Sequence, residues 1–122
     1  MDRIINSRLV VAAQLVTPAD NPLVSDNNRI MDVWFGGATI RKQMFKKVTR
    51  DEQEAFLAEL LTRGFVRSGN LLIDPTALLF VEMENRMLGG VVTLGSGDNG
   101  KLVEFKVSSQ AFDELREQLA IS

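Results

Sequence analysis

Six basic residues lie between Arg29 and Arg50, namely Arg29, Arg41, Lys42, Lys46, Lys47 and Arg50, against the single acid Asp32. The stretch carries a local charge of +5; the remaining eight basic and fifteen acidic residues give −7, and the whole chain −2. Such asymmetry points to an anionic partner. Arg41, Gln43, Phe45 and Lys47 stand two apart, a spacing that puts side chains on one face of a strand, and Trp34 lies on the strand before. Cations that hold phosphates, interleaved with aromatics that stack bases, suit single-stranded nucleic acid or a nucleotide-like anion. The same pattern arises when Phe45 and Trp34 belong to a core rimmed by solvated basic residues. For Trp34, the only tryptophan, a core or an oligomer interface is favoured over stacking.

Two further arginines have matching contexts, Asn28-Arg29 and Asn85-Arg86. Paired guanidinium forks fit a phosphate or another anion, whereas asparagine ahead of each arginine suits a plain turn. Glu82 and Glu84, with Asp98 and Glu104, could gather a hard cation, but alternating carboxylates on strands ordinarily face solvent. No metal site is expected. Gly95–Gly100 has the spacing G-x-G-x-x-G. Its phosphate-binding form needs a helix after it, and the next residues read as a strand, so Asn99-Gly100 is a hairpin turn. The chain has no histidine and no cysteine. That removes the commonest general base, any thiolate nucleophile and any disulfide. A non-enzymatic binding protein without cofactor is expected.

Periodicity and punctuation set the elements that carry these residues. Leu9–Val16 is a continuous valine-rich run ending at Thr17-Pro18, and predicts a strand. Leu23–Asp26 is assigned a short strand only because its counterpart Leu78–Glu84 is strand-like. Arg29–Gly36 alternates, Gly36-Gly37 turns, and Thr39–Val48 returns with Ile40, Met44 and Val48 on one face. Thr49-Arg-Asp-Glu52 is a capping box opening a helix with the stripe Phe56, Leu57, Leu60 and Leu61, closed by Gly64. Phe65–Ile73 predicts one strand bent at Gly69-Asn70. Strands Leu78–Glu84, Arg86–Leu94 (loosened by Gly89-Gly90) and Lys101–Val107 come next. Ser108 or Ser109 then caps a helix with the stripe Phe112, Leu115 and Leu119.

Laid over itself, the chain repeats: Leu15-Val16 falls on Leu72-Ile73, Pro18 on Pro75 and Asn28-Arg29 on Asn85-Arg86. The expectation is α+β, one domain over residues 1–122 built of two ββββα repeats, about 1–63 and 64–122, related by a pseudo-two-fold. Four short strands then a helix, twice, resembles the ββββα repeat of Whirly and PUR-type nucleic-acid-binding proteins. Phe65–Ala120 is also similar in element order to LytTR-type DNA-binding domains. The resemblance implies a nucleic-acid-binding fold and rests on topology; no family motif accompanies it, and no functional residue is carried over. Apolar runs too short to span a bilayer, and a start without a secretion signal, predict a cytoplasmic protein. Leucine-rich helices and open sheet edges predict a homo-oligomer. The alternative to nucleic-acid binding is a protein-interaction or structural subunit.

Overall fold

The computed structural model describes residues 3–37, 40–95 and 102–119. A single 3-10 turn, Ser7–Leu9, leads into β1 (Val10–Val16), followed by β2 (Arg29–Phe35), β3 (Arg41–Val48) and α1 (Arg50–Thr62). Then come β4 (Val66–Ser68), β5 (Leu71–Ile73), β6 (Leu78–Asn85), β7 (Gly89–Gly95), β8 (Leu102–Val107) and α2 (Ser109–Leu119). The strands form two antiparallel sheets, one of five strands ordered β3-β2-β1-β5-β4 and one of three ordered β6-β7-β8. The class is α+β.

β1 is apolar at every position but Gln14 because it is central and covered on both faces. A bulge between Val10 and Ala12 lets Val10, Ala13 and Leu15 join one core with Met31, Val33, Val48, Phe56, Leu60 and Leu72, beneath α1. Ala12 faces a second core with Leu71, Ile73, Val92, Leu94, Val107 and Leu115, where the smaller sheet and α2 pack. The five-stranded sheet is thus the middle layer.

α1 starts as its sequence requires. Thr49 Oγ1 accepts from the Glu52 amide at 3.1 Å, and Glu52 Oε1 accepts from the Thr49 amide at 3.1 Å. Its buried stripe is Phe56 and Leu60 with Leu57 at the margin; Leu61 is exposed. Gly64, at φ +91, ends it while the Phe65 amide donates back to the Leu60 carbonyl. α2 is capped by Ser108, whose Oγ accepts from the Ala111 amide at 3.1 Å.

Three expectations are corrected. Leu23–Asp26 is not a strand: Ser25 and Asn28 make one isolated bridge, and backbone bonds from the Asn21 and Asn28 amides close turns around it. Phe65–Ile73 is not one bent strand but a hairpin, β4 and β5, folded at Gly69 in a left-handed conformation (φ +59). The two halves do not build equal four-stranded units. β4 and β5, from beyond residue 64, join the sheet of the first half through β1, and the other sheet keeps three strands. An internal duplication is therefore not shown. Within the glycine-rich motif, residues 96–100 lie outside the described residues, Asp98 and the expected Asn99-Gly100 turn among them. The chain resumes as the strand β8 and not as a helix.

Candidate nucleic-acid interface

β3 is an edge strand, hydrogen-bonded to β2 alone. The register sets which side chains share a face. Phe45 opposes Met31, Gln43 opposes Val33 and Arg41 opposes Phe35, on the face of the first core. Lys42 opposes Trp34 and Met44 opposes Asp32, on the other. The alternation then breaks. Lys46 and Lys47 both fall opposite Ile30, Lys47 adopts φ +55, and Val48 returns to the face of Phe45 as a fully buried residue. Arg41, Gln43 and Phe45 therefore keep one face, and Lys47 does not continue it.

Trp34 is not on that face. It packs in the second core, edge-on to Phe105 with ring centroids 4.6 Å apart, and the Lys42 ammonium sits 5.4 Å over its ring. A shared stacking platform of Trp34 and Phe45 is ruled out by the pleat, because β2 and β3 pair odd with odd residues. Phe45 is half-buried. Its ring meets Phe35 edge-on at 6.4 Å, and the Arg3 guanidinium lies 5.6 Å from its centroid. Arg3 Nη2 also donates to the Lys46 carbonyl at 2.9 Å, and Arg3 lies 3.8 Å from Glu52. Arg3, Met44, Phe45, Lys46 and Lys47 line a shallow recess of about 460 Å³. Arg3 carries no sequence signal for this role; it comes to β3 from 43 residues away.

Arg41, Lys42, Lys46 and Lys47 are all exposed, and none forms an ion pair with a described carboxylate. Gln43 is exposed too, its Nε2 donating to the Met44 carbonyl at 3.1 Å. The result is a cationic rim along an open sheet edge beside an apolar recess. Arg50, the last cation of the basic stretch, is turned to Glu54 of its own helix at 3.0 Å.

The two arginines with matching contexts are engaged elsewhere. Arg29 is 9% exposed. Its Nη1 donates to Gln53 Oε1 at 2.8 Å and its Nη2 to Asp26 Oδ1 at 2.9 Å, while Nε is buried without a partner among the described residues. Gln53 in turn donates to the Val16 and Ile30 carbonyls. The hydrogen bond from Arg29 holds the Asp26 carboxyl below the usual aspartate range. A cleft of about 380 Å³ beside Arg29 also holds Arg67, but Asp20 and Glu54 line it as well, so its charges cancel. Arg86 is exposed, and its Nη1 donates to both carboxylate oxygens of Asp113 on α2, at 2.9 and 3.1 Å. Each arginine is held by the helix after its own hairpin, and they do not come together as one clamp.

Among the described residues no three carboxylates gather around a common point, and no helix is long and apolar enough to cross a membrane. Comparison with known protein families, characterised proteins and solved structures finds no match. The chain itself is α+β, with two antiparallel sheets and two helices among the described residues, and no match supports a Whirly or PUR-type fold.

Proposed function

We propose that this is a non-enzymatic binding protein that takes single-stranded nucleic acid along the outer edge of β3. Arg41, Lys42, Lys46 and Lys47 hold phosphates, and Phe45 in its recess receives a base. One observation carries the reading: four exposed cations without a described carboxylate partner share one open strand with a half-buried aromatic ring. Cations held in no ion pair release counterions from a phosphate chain on binding, and a partly exposed ring offers a sequence-tolerant stacking surface. The acidic remainder of the chain steers a polyanion to this edge and away from the other surfaces.

The test is fluorescence anisotropy of a labelled oligothymidylate at increasing salt. Four phosphate contacts on a single strand predict a slope of log affinity against log salt of about −3. No binding at about 50 mM salt ends the proposal.

A second reading, a homo-oligomeric interaction or structural subunit, is favoured by another open edge. On β6, both Leu79 and Phe80 are exposed. Both readings are compatible with a duplicated ββββα ancestor of Whirly or PUR-type. Its support is the correspondence of β2, β3 and α1 with β7, β8 and α2 in chain order, the first set preceded by a turn that ends at Asn28 and the second by one that Asn85 closes.

A further inference from the structure

We infer that the cleft beside Arg29 binds a free amino acid, its carboxylate on Arg29 and Arg67 and its ammonium on Asp20 and Glu54. The cleft holds about 380 Å³, toward the lower end of the range for small-molecule sites. Arg29 comes from the start of β2, Arg67 from β4, Asp20 from the turn after β1 and Glu54 from α1; Leu15 and Leu57 line the same space. Among the described residues, no ion pair joins either arginine to either acid. Arg29 pairs instead with Asp26, and Glu54 with Arg50, both outside the cleft.

Each charged group is anchored through some of its atoms and keeps others unengaged by any described group. Asp20 Oδ2 accepts from the Thr17 amide at 2.9 Å and the Thr17 hydroxyl at 3.0 Å, which leaves Oδ1. Arg67 Nε donates to the Gly69 carbonyl at 2.9 Å, which leaves both Nη groups. Glu54 Oε1 accepts from Arg50 Nε at 3.0 Å, which leaves Oε2. Arg29, only 9% exposed, uses one N–H of each Nη group on Gln53 and Asp26 and keeps the second of each. Charges fixed by their own neighbours, but not neutralised by one another, make a preorganised surface of both signs. A plain anion would meet the guanidinium groups with two carboxylates beside it, and a plain cation would meet the reverse. A ligand that carries both signs offsets all four. An α-amino acid carries them on a single carbon. Leu15 and Leu57 suit an apolar side chain, which makes leucine the probe.

The experiment is a titration of the full chain with leucine, leucinamide and N-acetylleucine, followed by backbone amide NMR. Leucine shifts the amides of Thr17, Asp20 and Asn70 to saturation below about 10 mM and leaves those of β3 in place. Leucinamide lacks the carboxylate and N-acetylleucine the ammonium, so each binds at least about tenfold more weakly. Arg67→Gln weakens leucine about tenfold but leaves leucinamide as it was, because the lost guanidinium faced the missing carboxylate. Asp20→Asn keeps an oxygen for the Thr17 bonds; it weakens leucine and leaves N-acetylleucine as it was. Both positions are exposed, and thermal melts of the variants confirm folding. None of the cleft residues lies on β3, so oligothymidylate and leucine do not displace one another, and the failure of either site leaves the other standing. No saturable shift with leucine at about 10 mM overturns the assignment. So does a derivative that binds as tightly as leucine, or a variant that weakens all three ligands alike or none of them.

Discussion

Arg29 and Gln53, 24 residues apart, meet inside the protein at 2.8 Å, the guanidinium Nη1 donating to the amide Oε1. The contact ties the start of β2 to the first turns of α1, and Gln53 relays it to the carbonyls of Val16 and Ile30. Arg29→Ala strips the buried Gln53 amide of its donor, at an expected cost of about 2 kcal/mol in urea unfolding. Arg29→Lys will not restore stability, since one ammonium cannot span two acceptors held by a planar fork. Oligonucleotide affinity per folded molecule, measured on the same proteins, should stay at the wild-type value; a fall of about tenfold would return Arg29 to the binding site.

Acid should act through two carboxylates. Backbone hydrogen bonding at Thr49 holds the Glu52 carboxyl below its ordinary 4.5, and the Arg29 hydrogen bond holds Asp26 below 3.8. The folded state therefore binds these protons less readily than the unfolded chain. Their contribution is fully present above the ordinary values and is lost as pH falls from there through the lowered ones. Urea midpoints measured from neutral pH downward should be flat to about pH 5 and then fall. Glu52→Gln should make the fall shallower; an unchanged curve would show that the capping carboxylate contributes nothing to it.

Gly89 is where β7 passes closest to the start of α2. It adopts φ +85, and a Cβ there would run into the carbonyl of Val107. At Gly90 a Cβ would stand 2.7 Å from the Phe112 ring and 2.8 Å from the Glu82 carbonyl. Gly89→Ala should cost about 3 kcal/mol, because strain and overlap with backbone cannot be relieved by a side-chain rotation. Gly64→Ala, also at positive φ but in open space, should cost less. Equal melting temperatures for the two variants would contradict this account.

The readings that survive in the structure are those whose causes are local. The capping box needs only Thr49 and Glu52, and the run from Val10 to Val16 needs only to be apolar at every position but Gln14. What failed depends on residues far apart. Strand parity correctly puts Arg41, Gln43 and Phe45 together, but whether Trp34 joins them is decided by register across the β2–β3 turn. That register sets Trp34 against Lys42, and no residue type announces it. The bulge at Lys46 and Lys47 is equally silent, since lysine at positive φ has no compositional mark. Gly89-Gly90 reads as slack in a strand and is instead the clearance for α2. Val66–Ser68 and Leu71–Ile73 are too short for their alternation to separate a hairpin from a single bent strand, although Gly69-Asn70 is ordinary turn chemistry.

Phe45 decides between core and interface, since it is half-buried at the margin of the first core. Packing on Phe35 and the margin of the first core predicts that Phe45→Ala loses stability, though less than the roughly 3–5 kcal/mol of a fully enclosed phenylalanine. About 1–2 kcal/mol is expected for a half-buried ring. If the exposed part of the ring stacks a base, the same variant also loses about 1–3 kcal/mol of oligonucleotide binding, with no change in salt slope. The cations should behave in the opposite way. Arg41→Gln and Lys46→Gln leave the melting temperature where it is, because neither is ion-paired to a described carboxylate. Each lowers the salt slope by about 0.7 for one lost phosphate contact. Lys47 separates backbone from charge. Lys47→Gly should remove the charge while relieving its φ of +55, so it should melt no earlier than wild type and still lose slope. Melts and titrations on these four variants are read together. Slope lost only with the cations, and affinity lost with Phe45 at constant slope, is the signature of phosphate contacts around a stacked base. A Phe45→Ala protein that melts early yet binds like wild type leaves the ring to the core, and removes stacking from the interface.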